Sequence, residues 1–248
     1  MPGGTAMALV TTAVEVERDA VCDALGEVAT VELGPYRAGR CETGWGVVDV
    51  VSLGVGPVAA AAGTAHCLGV RPYDLVVCAG IAGRYPLVSH APASSDTDSE
   101  TDTHRAPDHA GLVVSDRVVL DGFGAETAAG VLEAAAVGLG VSSFDLDDAL
   151  VRLAARRSGA TIGTIVTVLA ATGTPTRAWE RAERWAGTAE AMEGAGAHAA
   201  ALASGVAFLE LRAISNTVGD RDRTRWDIEG AVQLLGGALG RIFAESWS

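Results

Sequence analysis

At 248 residues with 49% apolar side chains, the chain is long enough to bury a substantial core and too hydrophobic to be disordered. Its 31 acidic and 18 basic residues leave a net charge of −13, and no segment gathers Arg into a patch able to neutralise phosphates, which excludes nucleic acid and anionic membrane surfaces as partners. Every basic residue is Arg, so mechanisms built on a Schiff-base or Walker lysine are excluded too.

Short β-rich runs alternate with Ala-rich segments of helical period, the texture of a layered α/β domain. The spacing predicts a strand over Met7–Thr12 and a helix from about Val14 to Leu25, with Glu15 and Glu17 in the first turn where the helix dipole favours acids. A strand over Val47–Leu53 ends in Gly54-Val55-Gly56-Pro57, and a helix over Val58–Leu68 follows with Pro57 at its head. Leu75–Cys78 reads as a buried strand that stops at Ala79-Gly80-Ile81-Ala82-Gly83. Further strands are predicted over Val113–Leu120, Ala160–Leu169 and Phe208–Ile214, and further helices at about Leu146–Ser158, Glu190–Ser204 and Asp227–Glu245.

One polar, Pro-containing stretch at about 86–110 departs from this texture and reads as a surface insertion within a single domain spanning 1–248. It holds His90, His104 and His109, but their spacing matches no ligand motif, so no metal is expected. The four cysteines form no CxxC pair and are too sparse for a disulfide framework, as reduced thiols in a cytoplasmic protein would be. The N-terminus has no basic leader, and no apolar run approaches the ~20 residues that span a bilayer.

Three constellations can carry chemistry. The Gly54-Val55-Gly56-Pro57 turn between a strand and a helix offers backbone N–H groups and a positive helix end to an oxygen-rich ligand, or is simply a tight turn. A dinucleotide reading lacks its ribose anchor, because the next strand ends in CAGIAG with no acid. In Ala191-Met192-Glu193-Gly194-Ala195 an acid heads an apolar helix. A carboxylate buried there needs a partner, such as a sugar diol, unless it merely complements the helix dipole. In Leu211-Arg212-Ala213-Ile214-Ser215-Asn216 an apolar strand runs into Asn216. That is the strand end at which α/β proteins gather ligands, though Asn is also a common turn residue.

In this order and at these separations, GVGPVAAA, AGIAG, AMEGA and LRAISN resemble the nucleoside phosphorylase and nucleosidase superfamily over nearly the whole chain except 86–110. Within it, the similarity is to the nucleosidases of methylthioadenosine and S-adenosylhomocysteine, and above all to the futalosine hydrolases. The resemblance implies a three-layer α/β/α sandwich around a mixed β-sheet, a homo-oligomer, a small-molecule nucleoside substrate and no cofactor. It also implies that Glu17 activates the attacking water, that Met192 and Glu193 hold the ribose, and that Gly56, Gly80 and Ile81 belong to the substrate site. Asn216 stands where adenine-cleaving nucleosidases carry Asp.

That substitution has a physical consequence. Adenine presents an acceptor at N7 and a donor at its amine, which a protonated Asp matches; a 6-oxopurine presents two acceptors, N7 and O6, which the two hydrogens of an Asn NH₂ can serve. A hypoxanthine or guanine nucleoside is therefore expected, and futalosine carries hypoxanthine. Its carboxylated aromatic 5′ group has a match in Arg221, Arg223 or Arg225 beside Trp226, although the alternating Asp and Arg there could equally pair with one another. Acids after the first strand disfavour phosphate as nucleophile, while Arg18 and Arg84 keep phosphorolysis open, as is action on inosine, methylthioadenosine or S-adenosylhomocysteine.

Overall fold

The computed structural model describes residues 5–86, 111–128, 130–219 and 221–247. The insertion expected at about 86–110, with its three His, lies outside the described residues apart from Pro86. In chain order the elements are β1 (Met7–Thr12), α1 (Glu15–Leu25), β2 (Glu27–Leu33), β3 (Tyr36–Glu42), β4 (Val47–Ser52), α2 (Pro57–Val70) and β5 (Leu75–Arg84). There follow β6 (Leu112–Leu120), β7 (Gly124–Thr127), β8 (Gly130–Glu133), β9 (Ser143–Asp145), α3 (Asp148–Ser158), β10 (Thr161–Thr167) and α4 (Pro175–Trp185). The last are β11 (Gly187–Ala191), α5 (Gly194–Ser204), β12 (Ala207–Thr217) and α6 (Ile228–Ile242).

One mixed sheet runs in the order β11-β10-β6-β12-β5-β1-β4-β3-β2, with β9 paired to β6, and β7 and β8 pair separately. Its centre is parallel: β4, β1, β5 and β12 share a direction, and the helices make the crossovers. At the other end β11 turns back to pair antiparallel with the tip of β5, so that part of the sheet curls closed.

Alternation along the central strands sorts two cores. Ala8, Val10, Val77 and Ala79 pack with Val21 of α1, Val151 of α3 and Leu235 of α6, while Leu9, Val76 and Cys78 pack with Ala60 of α2 and Ala201 of α5. Being covered on both faces, β1 and β5 are apolar over most of their length rather than alternating. The result is the three-layer α/β/α sandwich around a mixed sheet. Small residues let α2 and α5 meet closely: a Cβ at Gly196 would lie 1.9 Å from the Pro57 carbonyl oxygen, so only glycine fits. That contact sets the turn before α2 against the head of α5.

Two sequence expectations need correction. The helix placed over Glu190–Ser204 begins at Gly194, and Gly187–Ala191 is instead the strand β11. Ala189 and Glu190 favour helix, and pairing with β10 and β5 overrides that local preference. The strand expected to stop at Cys78 continues through AGIAG to Arg84, because β12 pairs along its full length.

Candidate active site

A cavity of about 420 Å³ opens where β1, β5 and β12 end and where β11 passes into α5. Glu17, Ile81, Met192, Glu193, Asn216, Arg221, Arg223 and Trp226 all line it. Residues from both ends of the chain are thus gathered at the carboxyl edge of one sheet.

Glu17 is the third residue of α1, only 3% exposed. Its Oε2 accepts hydrogen bonds from the N–H groups of Ala13 and Val14 at 3.0 and 3.2 Å, closing the helix N-terminus, and its Oε1 accepts from Ile81 N–H at 2.9 Å. Burial raises its pKa above the ordinary 4.5, opposed by the Ile81 amide and by the guanidinium of Arg212. A carboxylate so raised is a better proton acceptor near neutral pH. A general base works deprotonated, so in that role kcat/KM is expected to fall as pH drops through this raised pKa. The acid limb of the pH–rate profile then lies above 4.5, and a limb at or below 4.5 contradicts the assignment.

Glu193 sits at the N-cap of α5, 7% exposed. Its Oε1 accepts from Gly56 N–H at 3.1 Å, and its Oε2 from Arg212 Nη1 at 3.0 Å and Met192 N–H at 3.3 Å. Of the about four acceptor positions on a carboxylate, one therefore remains for a ribose hydroxyl. Gly56 is absent from the cavity wall: its amide, expected to meet a ligand directly, holds Glu193 instead. Gly80 is also off the wall. It lies beneath, where an added Cβ would be 2.6 Å from Arg212 Nη1 and 2.9 Å from Glu17 Oε1.

Arg212 is the residue that sequence reasoning missed. It is 1% exposed and bridges Glu193 to Glu210, with Nε 3.0 Å from Glu210 Oε1 and Nη2 3.2 Å from Cys78 Sγ. Burial pushes the Glu210 carboxyl up to about 6. The signal was present in LRAISN, since a guanidinium inside an apolar strand must meet an acid. Arg212→Met removes the charge but keeps most of the volume, leaving buried carboxylates uncompensated. A loss of ~3–5 kcal/mol in urea-denaturation stability is expected, and unchanged stability contradicts the pairing.

Asn216 Oδ1 accepts from Ser215 Oγ at 2.9 Å, and its Nδ2 donates to the Thr217 carbonyl at 2.9 Å. This narrows the sequence expectation: as the side chain stands, one amide hydrogen, not two, is left for a base. Arg221 and Arg223 lie over the Trp226 ring, their guanidinium carbons 5.2 and 5.9 Å from its centroid. Arg225 belongs to a neighbouring cavity. Among the described residues, Arg221 and Arg223 are the cations on the main cavity wall; Arg18 pairs with Glu15 and Asp19, and neither it nor Arg84 lines the cavity.

Two buried carboxylates and an amide thus line one cavity at the carboxyl edge of this sandwich. No family model matches the chain. It is 43% identical to the futalosine hydrolase of Streptomyces coelicolor over 96% of this chain and 97% of that one. Among solved structures, it is similar to the S-adenosylhomocysteine nucleosidase of Streptococcus pyogenes with a TM-score of 0.77 at 19% identity, covering 98% of each chain. It is also similar to the native futalosine hydrolase of Helicobacter pylori with a TM-score of 0.74 at 16% identity, covering 96% of this chain and 97% of that one. The chain belongs to the futalosine hydrolase family. No described helix is long and apolar enough to cross a membrane.

Proposed function

We propose that this chain, acting as one nucleosidase domain over 1–248, hydrolyses the N-ribosidic bond of futalosine to hypoxanthine and dehypoxanthine futalosine, a step of menaquinone biosynthesis. The observation that carries this reading is that Glu17, Glu193 and Asn216 line one cavity together with Arg221, Arg223 and Trp226.

Cleavage of the bond develops positive charge on the ribose and negative charge on the purine. Glu17 takes a proton from water as the water oxygen bonds to C1′, and the electrons of the C1′–N9 bond leave with the base. Glu193 holds a ribose hydroxyl and, with Glu17, offsets the developing ribosyl cation. Asn216 donates to the purine edge as its charge grows. An amide does not surrender its proton, so the base leaves as a hydrogen-bonded anion and is protonated from solvent. Arg221 and Arg223 offer a fork to the 5′ carboxylate, with Trp226 as an apolar face beside it.

Water fits the nucleophile position better than phosphate, because Glu17 and Glu193 on the cavity wall are acids, which repel an anion. The same proposal has the enzyme act in the cytoplasm as a homo-oligomer. Its four cysteines, all buried and none in a disulfide, fit a reducing compartment. Incubation with futalosine and with inosine, each with and without phosphate, tests the reading. Free hypoxanthine and a reducing sugar from futalosine, independent of phosphate, are expected; a sugar phosphate as product overturns hydrolysis, and a preference for inosine overturns the substrate.

A further inference from the structure

With one Asn216 hydrogen engaged by Thr217, a single amide donor is a thin basis for telling a 6-oxopurine from adenine. We infer that Glu190 is a second reader of the base, accepting the N1–H of the hypoxanthine lactam. The inference rests on the proposed hydrolysis of futalosine and deepens it.

The sheet brings the two side chains together. Gly83 near the tip of β5 pairs with Glu190 of β11 on one side and with Asn216 of β12 on the other. Three residues in one row across a sheet share a face, with neighbouring strands about 4.8 Å apart, so Glu190 and Asn216 flank Gly83 at about 10 Å between their Cα atoms. All three line the cavity. The space a Cβ would take at Gly83 is already closed by Val218 Cγ2 at 2.7 Å and Asn216 Nδ2 at 3.3 Å, so a glycine there lets Asn216 pack against β5 on the same cavity wall as Glu190.

Glu190 is built to present an acceptor. It is 8% exposed, and its Oε2 accepts from Tyr85 OH at 2.9 Å and Thr172 Oγ1 at 2.5 Å, with Arg181 Nη1 at 3.5 Å. Its Oε1 accepts from Thr172 N–H at 2.8 Å and keeps one acceptor position. Arg181 is itself fixed by Asp121 at 2.8 Å, so the carboxylate is held on every side but one.

In hypoxanthine, N1 and N7 flank the 6-oxygen on one edge of the ring, and N1 carries a hydrogen. In adenine N1 is a bare acceptor, and its lone pair would face the Glu190 carboxylate. Glu190 at N1–H and Asn216 at N7 or O6 thus read a donor and an acceptor together, and adenine fails at the first. A mismatch of this kind in a buried site discriminates by ~10²-fold or more.

The test compares futalosine with its 1-deaza analogue, whose 6-oxo form carries C–H at position 1 and its ring hydrogen on N3 at unchanged ring size, on wild type and on Glu190→Gln. The variant keeps the shape and the acceptor for Thr172 N–H but loses the charged acceptor, which makes the stronger hydrogen bond. Wild type is expected to prefer futalosine by ~10²-fold or more in kcat/KM, and Glu190→Gln to cut that preference at least ~10-fold. A wild type that turns over both equally overturns the inference even if the variant does not fold. So does a variant in which both rates fall together with the ratio intact, the mark of a purely structural Glu190. A wild type inert toward futalosine instead overturns the proposed function itself, and this inference with it.

Discussion

Glu17→Gln is expected to lower kcat by ~10²–10⁴ while leaving substrate binding nearly unchanged. The amide keeps an oxygen for the Ala13 and Val14 N–H groups that close the head of α1, so the helix end survives. What disappears is the ability to take a proton from water beside C1′. Steady-state kinetics with futalosine read the first effect, and calorimetric titration with hypoxanthine confirms that the cavity still binds. Turnover equal to wild type removes Glu17 from the mechanism.

The second large effect is expected at the base. Asn216→Asp is expected to reduce kcat/KM on hypoxanthine nucleosides by ~10² or more and to raise the relative rate on adenine nucleosides. A carboxylate at this position loses the N–H that now donates to Thr217 and sets oxygen against carbonyl oxygen at 2.9 Å. That repulsion favours its protonated form, whose one hydrogen can donate to N7 only when the side chain turns away from the Thr217 carbonyl, leaving the other oxygen to accept from an exocyclic amine. Rates on a matched pair of hypoxanthine and adenine nucleosides measure the switch, and an unchanged ratio contradicts the role given to Asn216.

Much of this site was legible because the informative residues break the local texture. Glu17 in a first helical turn, Glu193 at the head of an apolar helix and Asn216 at a strand end are polar residues where burial is expected, and each faces the cavity. Gly56 and Gly80, expected to meet substrate, instead support the carboxylates: the Gly56 amide donates to Glu193, and Gly80 leaves room for Arg212 and Glu17, contacts that join residues far apart in sequence. Arg212 was passed over because its worth depends on two acids that only the fold brings to it. Glu190 was hidden by a mistaken element: in a helix it would be one more first-turn acid, whereas in β11 it stands in register with Gly83. Local pattern thus located residues that line the cavity, and long-range pairing alone explains what holds them there.

The most direct measurement is a crystal structure with hypoxanthine bound. The 6-oxo edge of the ring is expected against residue 216, with Asn216 Nδ2 within about 3.2 Å of N7 or O6. A ring seated elsewhere in the cavity, with the Asn216 amide out of reach of both atoms, contradicts it.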